Sequence, residues 1–373
     1  MKDSIKNIAF AIVLVVIVIS IIYLQSLKSS ITNSNDSNSA VKIASSPEKS
    51  KIYPPAKEIV SPSGFINSEG VKINDLVGKK VILVDFWTYS CINCQRTLPH
   101  LVGWYEKYKD NGLEIIGVHA PEFEFEKKYE NVFEAVQKFG IKYPVVLDND
   151  YATWNAYKNR YWPHKYLIDI DGFIVFDHIG EGAYEETETK IQELLMERSK
   201  KLKIHENVSM EISKDVNATD VDFSKIESPE TYFGAERNNN LGNGFANTIG
   251  VQNLTDPPNV KPNYLYLVGL WKFEKEFAEN QNSLAKIVFK YKAKNIYFVA
   301  AAENNVKIHV MRDGKPLSAE AGSDVIIENG LSVVNIKEPK LYKLVEDSAG
   351  YGEHTLEIIV ESPGIHAFTF TFG

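Results

Sequence analysis

The sequence predicts three parts of different class: a single membrane-spanning helix, an α/β unit with a mixed sheet, and an all-β, jelly-roll-like sandwich. Three observations carry this. Between Lys6 and Lys28 there is no charged residue. The apolar run Val81–Trp87 leads into Cys91-Ile92-Asn93-Cys94, and strand and helix patterns alternate after it. Beyond residue 229, short stretches with period-two alternation follow one another between turn signals.

The first part, residues 1–28, has a core at Ile8–Leu24 made almost wholly of Ile, Val, Leu, Ala and Phe. At ~1.5 Å per residue the uncharged run gives about 30 Å of helix, one bilayer core. No cysteine closes the run for lipid attachment, and Ile22-Tyr23-Leu24-Gln25 lacks the small residues of a cleavage site. An uncleaved, single-pass anchor in the cell membrane is therefore expected. Lys2 and Lys6 favour an inside N-terminus, which puts both folded domains outside the cytoplasm. A cleaved signal peptide would lead to the same compartment. Residues 29–52 are rich in Ser, Asn and Lys without an apolar period, as in a flexible stalk.

Residues 53–200 form the α/β unit. Val81–Trp87, broken only by Asp85, reads as a strand buried on both faces. Leu98, Leu101, Val102, Tyr105 and Tyr108 recur at helical spacing, and Asn111-Gly112 stops that helix. Leu113–Val118 is a second strand, and 126–139 an amphipathic helix ended by Gly140. Tyr166–Ile170 and Phe173–Phe176 are strands joined at Asp171-Gly172, a hairpin signal. A last helix runs from about Tyr184 to Arg198. The order is β-α-β-α-β-β-α.

Composition narrows the function. The chain has 373 residues, 44% hydrophobic and 24% charged, which excludes a disordered polymer and a polytopic membrane protein. A net charge of −8 offers no basic footprint for nucleic acid. Two cysteines cannot build a disulfide scaffold or, alone, a structural zinc site. Cys91 and Cys94 directly follow a buried strand, and a helix starting at Cys91 would point its amides at that sulfur and favour the thiolate. Cys94, one turn in, is placed to resolve a mixed disulfide formed at Cys91.

The segment Val84–Pro99, with Cys91-Ile92-Asn93-Cys94 at its centre, resembles the active-site segment of thioredoxin-like proteins of the TlpA/DipZ type. Tyr161–Asp169 resembles the segment that carries the family's cis-proline. The resemblance implies an α/β thioredoxin-like domain in which Pro163 is cis and presents the substrate backbone. It implies that Asp85 is the buried carboxylate that takes the Cys94 proton, and that Pro99 lies within the active-site helix. The sequence departs from the pattern with Ile92-Asn93 between the cysteines and Tyr89-Ser90 before them. Trp87 and Glu122 stand as auxiliary candidates. His119, at the end of the second strand, reads more readily as a packed histidine than as a catalyst.

Residues 201–228 read as a linker and 229–373 as the sandwich. Strand patterns occur at Lys286–Lys292, Val306–Met311, Leu331–Lys337, Leu341–Val345, Thr355–Val360 and Ala367–Phe372. Ser228–Gly234 and Ala367–Gly373 resemble the C-terminal domain of the DipZ family, which looks like a carbohydrate-binding module. That resemblance implies a glycan ligand, with Trp271 a candidate platform, although a single tryptophan is more often a core residue. No cluster with metal-ligand spacing appears.

The expected activity is that of a membrane-anchored, extracytoplasmic thiol–disulfide oxidoreductase. It needs no bound cofactor, acts on disulfide-bonded or dithiol proteins, and exchanges electrons with a separate membrane donor or acceptor. Two rivals are a peroxiredoxin-type thiol peroxidase, disfavoured by Trp87 where a Thr or Pro is wanted, and a non-catalytic envelope- or glycan-binding protein.

Overall fold

The computed structural model describes residues 41, 46–213 and 221–373. The expected anchor and most of the stalk lie outside the described residues. Among those described, no helix is long and apolar enough to cross a membrane.

The first unit contains β1 (Gly64–Ile66), α1 (Ile73–Leu76), β2 (Val81–Trp87), α2 (Ile92–Tyr108) and β3 (Leu113–His119). It continues with α3 (Tyr129–Lys138), β4 (Val145–Leu147), α4 (Ala152–Ala156), β5 (His164–Ile168), β6 (Ile174–Ile179) and α5 (Tyr184–Leu202). The sheet order is β1-β4-β3-β2-β5-β6. β2, β3 and β4 are parallel, while β1, β5 and β6 run antiparallel to their neighbours.

β2 is central and fully buried because both its faces are covered. Alternate side chains point to opposite faces. Val81, Leu83 and Trp87 meet Leu98, Leu101, Trp104, Ile191 and Leu195 from α2 and α5. Ile82, Val84 and Phe86 meet Ile73, Trp154, Tyr157 and Tyr166 on the other face. Asp85 falls by this alternation on the α2 face.

The helix expected over 126–139 is divided. Glu124–Lys127 is a 3-10 turn, Lys128 is extended, and α3 starts at Tyr129. The cause is Glu126, whose carboxylate turns back to accept from the amides of Glu122 and Phe123 and so closes a separate turn. At Asp171-Gly172 the chain does reverse. Gly172 has φ +92°, and Asp169 Oδ1 accepts from the amides of Asp171 and Phe173.

The second unit holds β7 (Thr231–Tyr232), β8 (Gly250–Leu254), β9 (Leu265–Phe273), β10 (Ala278–Asn280), β11 (Ala285–Ala293), β12 (Asn295–Ala302) and β13 (Val306–Arg312). It ends with β14 (Lys315–Pro316), β15 (Ile326–Glu328), β16 (Leu331–Ile336), β17 (Lys340–Glu346), β18 (Gly352–Val360) and β19 (Ile365–Phe372). These join in one large sheet along β15-β16-β13-β18-β11-β9-β10-β19-β12-β17.

β9 links the two halves of that path. Leu265–Val268 pair with β11, whereas the stretch from Gly269 to Phe273 pairs with β8 and, at its end, β10. Gly269 sits at the change of partner with φ +99°, a conformation L side chains rarely adopt. A Cβ there would also lie 2.7 Å from Asn282 Oδ1. The two halves share one core, in which Phe233, Trp271, Phe289, Phe298 and Phe370 are fully buried. Trp271 is therefore not a platform for a ligand. Its ring is packed inside and its Nε1 donates to the Val268 carbonyl at 3.0 Å.

Candidate active site

The dithiol sits where β2 runs out. Trp87 ends the strand, the buried loop Thr88-Tyr89-Ser90 follows, and Cys91 is the N-cap of α2. The side chain of an N-cap accepts from an amide of the first turn. Here that acceptor is sulfur, and the Cys94 amide donates to Cys91 Sγ at 3.4 Å. Both cysteines are free thiols; Cys91 is half-buried and Cys94 buried. Burial pushes the Cys94 thiol well above its ordinary range, and the neighbouring Cys91 sulfur and Asp85 add to the shift. Pro99 lies inside α2, which continues through it to Tyr108.

Asp85 lies on the sheet face beneath α2, and among the described residues neither of its carboxyl oxygens has a hydrogen-bond partner. Its register neighbours are Gly117 on β3 and Lys165 on β5. Burial pushes its carboxyl up to about 7, and the Lys165 ammonium opposes that rise only partly. Lys165 is itself buried and donates to the Gly180 carbonyl at 3.0 Å. Burial lowers its pKa, with Asp85 pulling the other way. A carboxyl poised near neutrality beside a buried thiol is suited to proton transfer.

The Trp162–Pro163 bond is cis, and the Pro163 carbonyl accepts from the Gly180 amide at 2.8 Å. Trp162 lines the same cleft as Cys91, and its Nε1 donates to the Ala120 carbonyl at 3.0 Å. Trp87 is fully buried under α2, packed edge-on to His119. Burial lowers the His119 pKa to about 3, so the ring is neutral at ordinary pH and acts as packing between Trp87 and Tyr89. Glu122 reaches the cleft but is engaged there. Its Oε1 accepts from Tyr232 Oη at 2.9 Å and Arg237 Nη1 at 2.7 Å.

Glu126 is the residue that sequence reasoning missed. It is fully buried, and burial lifts its carboxyl to about 7. One oxygen accepts from Ser90 N (3.2 Å) and Ser90 Oγ (2.7 Å), the other from Glu122 N (2.5 Å) and Phe123 N (3.0 Å). It thereby ties the loop before Cys91 to the loop after β3. The available signal was a glutamate at the head of an apparent helix, where a side chain can turn back onto the amides three and four residues before it. Glu126→Ala leaves four donors without their acceptor, three of them buried, at about 1–3 kcal/mol for each buried loss before relaxation. A net loss of roughly 3 kcal/mol is expected in urea unfolding. A change below about 0.5 kcal/mol, the scale of an ordinary surface substitution, would contradict this role.

A nucleophile-and-resolver sulfur pair at a helix N-terminus, over a mixed sheet and backed by a buried carboxyl, defines a thioredoxin-like dithiol protein. Residues 56–176 match the AhpC/TSA family, and residues 228–373 match the family described as thioredoxin like C-terminal domain. The thiol-disulfide oxidoreductase ResA of Halalkalibacterium halodurans is 35% identical over 130 residues, 35% of this chain and 70% of that protein. Protein DipZ of Mycobacterium tuberculosis is 38% identical over 320 residues, 85% of this chain and 43% of DipZ. The chain thus spans less than half the length of the DipZ proteins it matches. A solved thioredoxin-like protein in its oxidized form is 27% identical, with a TM-score of 0.37, and covers 39% of this chain and 98% of that one. The chain belongs to the thioredoxin-like thiol–disulfide oxidoreductase family of TlpA/DipZ type.

Proposed function

We propose that the protein is a thiol–disulfide oxidoreductase that reduces disulfides of proteins outside the cytoplasm. The observation that carries this reading is the half-buried Cys91 Sγ at the helix start with buried Cys94 and Asp85 behind it. Cys91 as thiolate attacks one sulfur of a substrate disulfide, and the other substrate sulfur leaves as a thiolate that takes up a proton. Cys94 gives its proton to Asp85, attacks Cys91 Sγ in the mixed disulfide, and expels the second substrate thiolate. Two electrons pass to the substrate, and the enzyme is left with a Cys91–Cys94 disulfide. A separate dithiol donor must reduce it for the next turnover.

Burial above all, with the Cys91 sulfur and the Asp85 carboxyl adding to it, disfavours negative charge on Cys94, which favours the disulfide over a stabilised thiolate and sets the couple on the reducing side. The expected reduction potential is near roughly −270 mV, as for thioredoxin. Equilibration of the pair in dithiol/disulfide buffers measures it. A value near roughly −120 mV would make the protein an oxidant instead. Peroxide consumption without disulfide exchange would replace the reading altogether.

The uncharged run before Lys28 supports a single membrane anchor, with residues 29–52 as a stalk and the folded domains on the outer side. The folded-over C-terminal sheet is read as a β-sandwich. A glycan ligand for it would have to use surface residues other than Trp271.

A further inference from the structure

We propose that the C-terminal sheet domain is a fixed wall over the docking face of the dithiol, so that the enzyme selects disulfides in extended peptide segments over disulfides set in a folded surface. The inference rests on the oxidoreductase reading and adds a substrate class to it.

Ile92 stands between the two cysteines, where a substrate protein would have to dock. It is 4% exposed. What covers it is a cluster drawn from both units: Phe123 from the first, and Tyr297, Val299, Leu341 and Phe368 from the sheet domain. Phe368 also packs against Phe123 and Phe125, at ring-centroid distances of 5.0 and 4.8 Å.

Polar contacts fasten the loop before Cys91 and the loop after β3 to the same wall. Tyr89 Oη, just before Cys91, donates to the Pro339 carbonyl at 3.2 Å. Glu122 holds Tyr232 and Arg237, and the Glu124 amide donates to Glu276 Oε2 at 2.9 Å. Arg96, two residues beyond Cys94, is held within the first unit by both Glu181 oxygens and reaches Tyr297 of the wall. An apolar contact with several cross-domain hydrogen bonds on its rim has the anatomy of a stable interface.

What remains open is a cleft of about 390 Å³ on the side of Cys91 that faces Trp162. Tyr161 and Trp162 form one side of it, and Tyr232, Arg237 and Glu230 the other. Both sides are held: Trp162 by the Ala120 carbonyl, Tyr232 by Glu122, and the Arg237 guanidinium 3.7 Å above the Tyr232 ring. That space is of small-ligand size. Even in a transient redox encounter a folded partner covers up to roughly 600 Å² of its own surface, and the wall occupies the ground on which it would rest. A peptide strand a few residues wide can bring a disulfide sulfur to Cys91.

The test compares two substrates of the full chain, supplied with excess dithiothreitol-reduced enzyme in single turnover. One is a ten-residue unstructured peptide with one internal disulfide, and the other is folded insulin. The expected second-order rate for the peptide is at least 100-fold higher. The double variant Tyr232→Ala/Arg237→Ala lowers one side of the cleft and is expected to shrink that ratio at least tenfold, by raising the insulin rate. A wild-type ratio below threefold, or a ratio unchanged in the variant, would overturn the wall. Failure of the wild type on both substrates, or retention of both rates in Cys91→Ser, would instead overturn the oxidoreductase reading. Because the variant is read by a gain in one rate, loss of folded protein cannot imitate the result.

Discussion

Replacing Cys94 by Ser is expected to stop the enzyme at the mixed disulfide. Cys91 keeps its place at the N-cap of α2, half-buried in the cleft, and still attacks. Nothing then displaces the substrate, because a serine hydroxyl does not expel a thiolate from sulfur under these conditions. Turnover falls by at least about 10³-fold, the scale on which loss of a covalent nucleophile acts. The protein accumulates as a one-to-one adduct whose mass is the sum of enzyme and substrate and which dithiothreitol releases. Cys91→Ser loses turnover as fully but forms no adduct, since Cys94 is buried and its thiol is pushed up by that burial. Non-reducing mass spectrometry of the two variants after one exposure to substrate distinguishes them. An adduct in Cys91→Ser and none in Cys94→Ser would reverse the assignment of nucleophile and resolver.

Asp85→Asn is expected to slow resolution of the mixed disulfide by about 10²- to 10³-fold, within the usual range for loss of a positioned acid or base. The sign of the pH dependence follows from the carboxyl's position near 7. Below about pH 7 Asp85 carries a proton and cannot accept one from Cys94, so the wild-type rate rises with pH and levels off above that value. The Asn variant should show no such inflection. The same raised value affects stability. Between about pH 4 and 7 the folded protein holds a proton that the unfolded chain has released, so stability is greatest at the acid end and falls as pH rises through the window. Asn removes the Asp85 share of that slope, while Glu126, also lifted to about 7 by burial, keeps its own. Stopped-flow release of substrate thiol across pH 5 to 9 reads the rate, and urea midpoints over the same range read the stability. An unchanged inflection in the variant would assign the proton to another group.

How much of this was legible depends on whether the controlling interactions were local. β2 was legible because its seven residues are buried on both faces and the sequence shows an almost unbroken apolar run. The sulfur pair was legible from its spacing and its place after that strand. β1 and β4 were not, because three residues are too few to show a period. β9 was hidden by Gly269, which breaks the alternation at the point where the strand changes partners. β12, with Ile296-Tyr297-Phe298-Val299 in sequence, is buried along most of its length and shows no polar face. The helix expected over 126–139 is too long because Glu126 turns back onto the Glu122 and Phe123 amides and also holds Ser90, 36 residues upstream, a bond that local helix geometry does not show. The covering of Ile92 by Phe368 and Tyr297 could not be read at all, since no spacing rule links positions so far apart.

The order of strands in the C-terminal sheet has a consequence in time. β19 lies between β10 and β12 and also pairs with β7, joining Thr369 to Tyr232, the last strand of that unit to its first. Domains whose pairings span long stretches of chain fold more slowly than those built from local contacts. The first unit's longest pairings, β1 with β4 and β2 with β5, close shorter stretches of chain than β7 with β19. During biogenesis there is accordingly an interval in which the sulfurs have assembled and Phe368 has not yet arrived. In that interval Ile92, Phe123 and Phe125 are expected to lack their cover, and with the proposed wall not yet in place the young protein is expected to be stickier and less discriminating than the mature one.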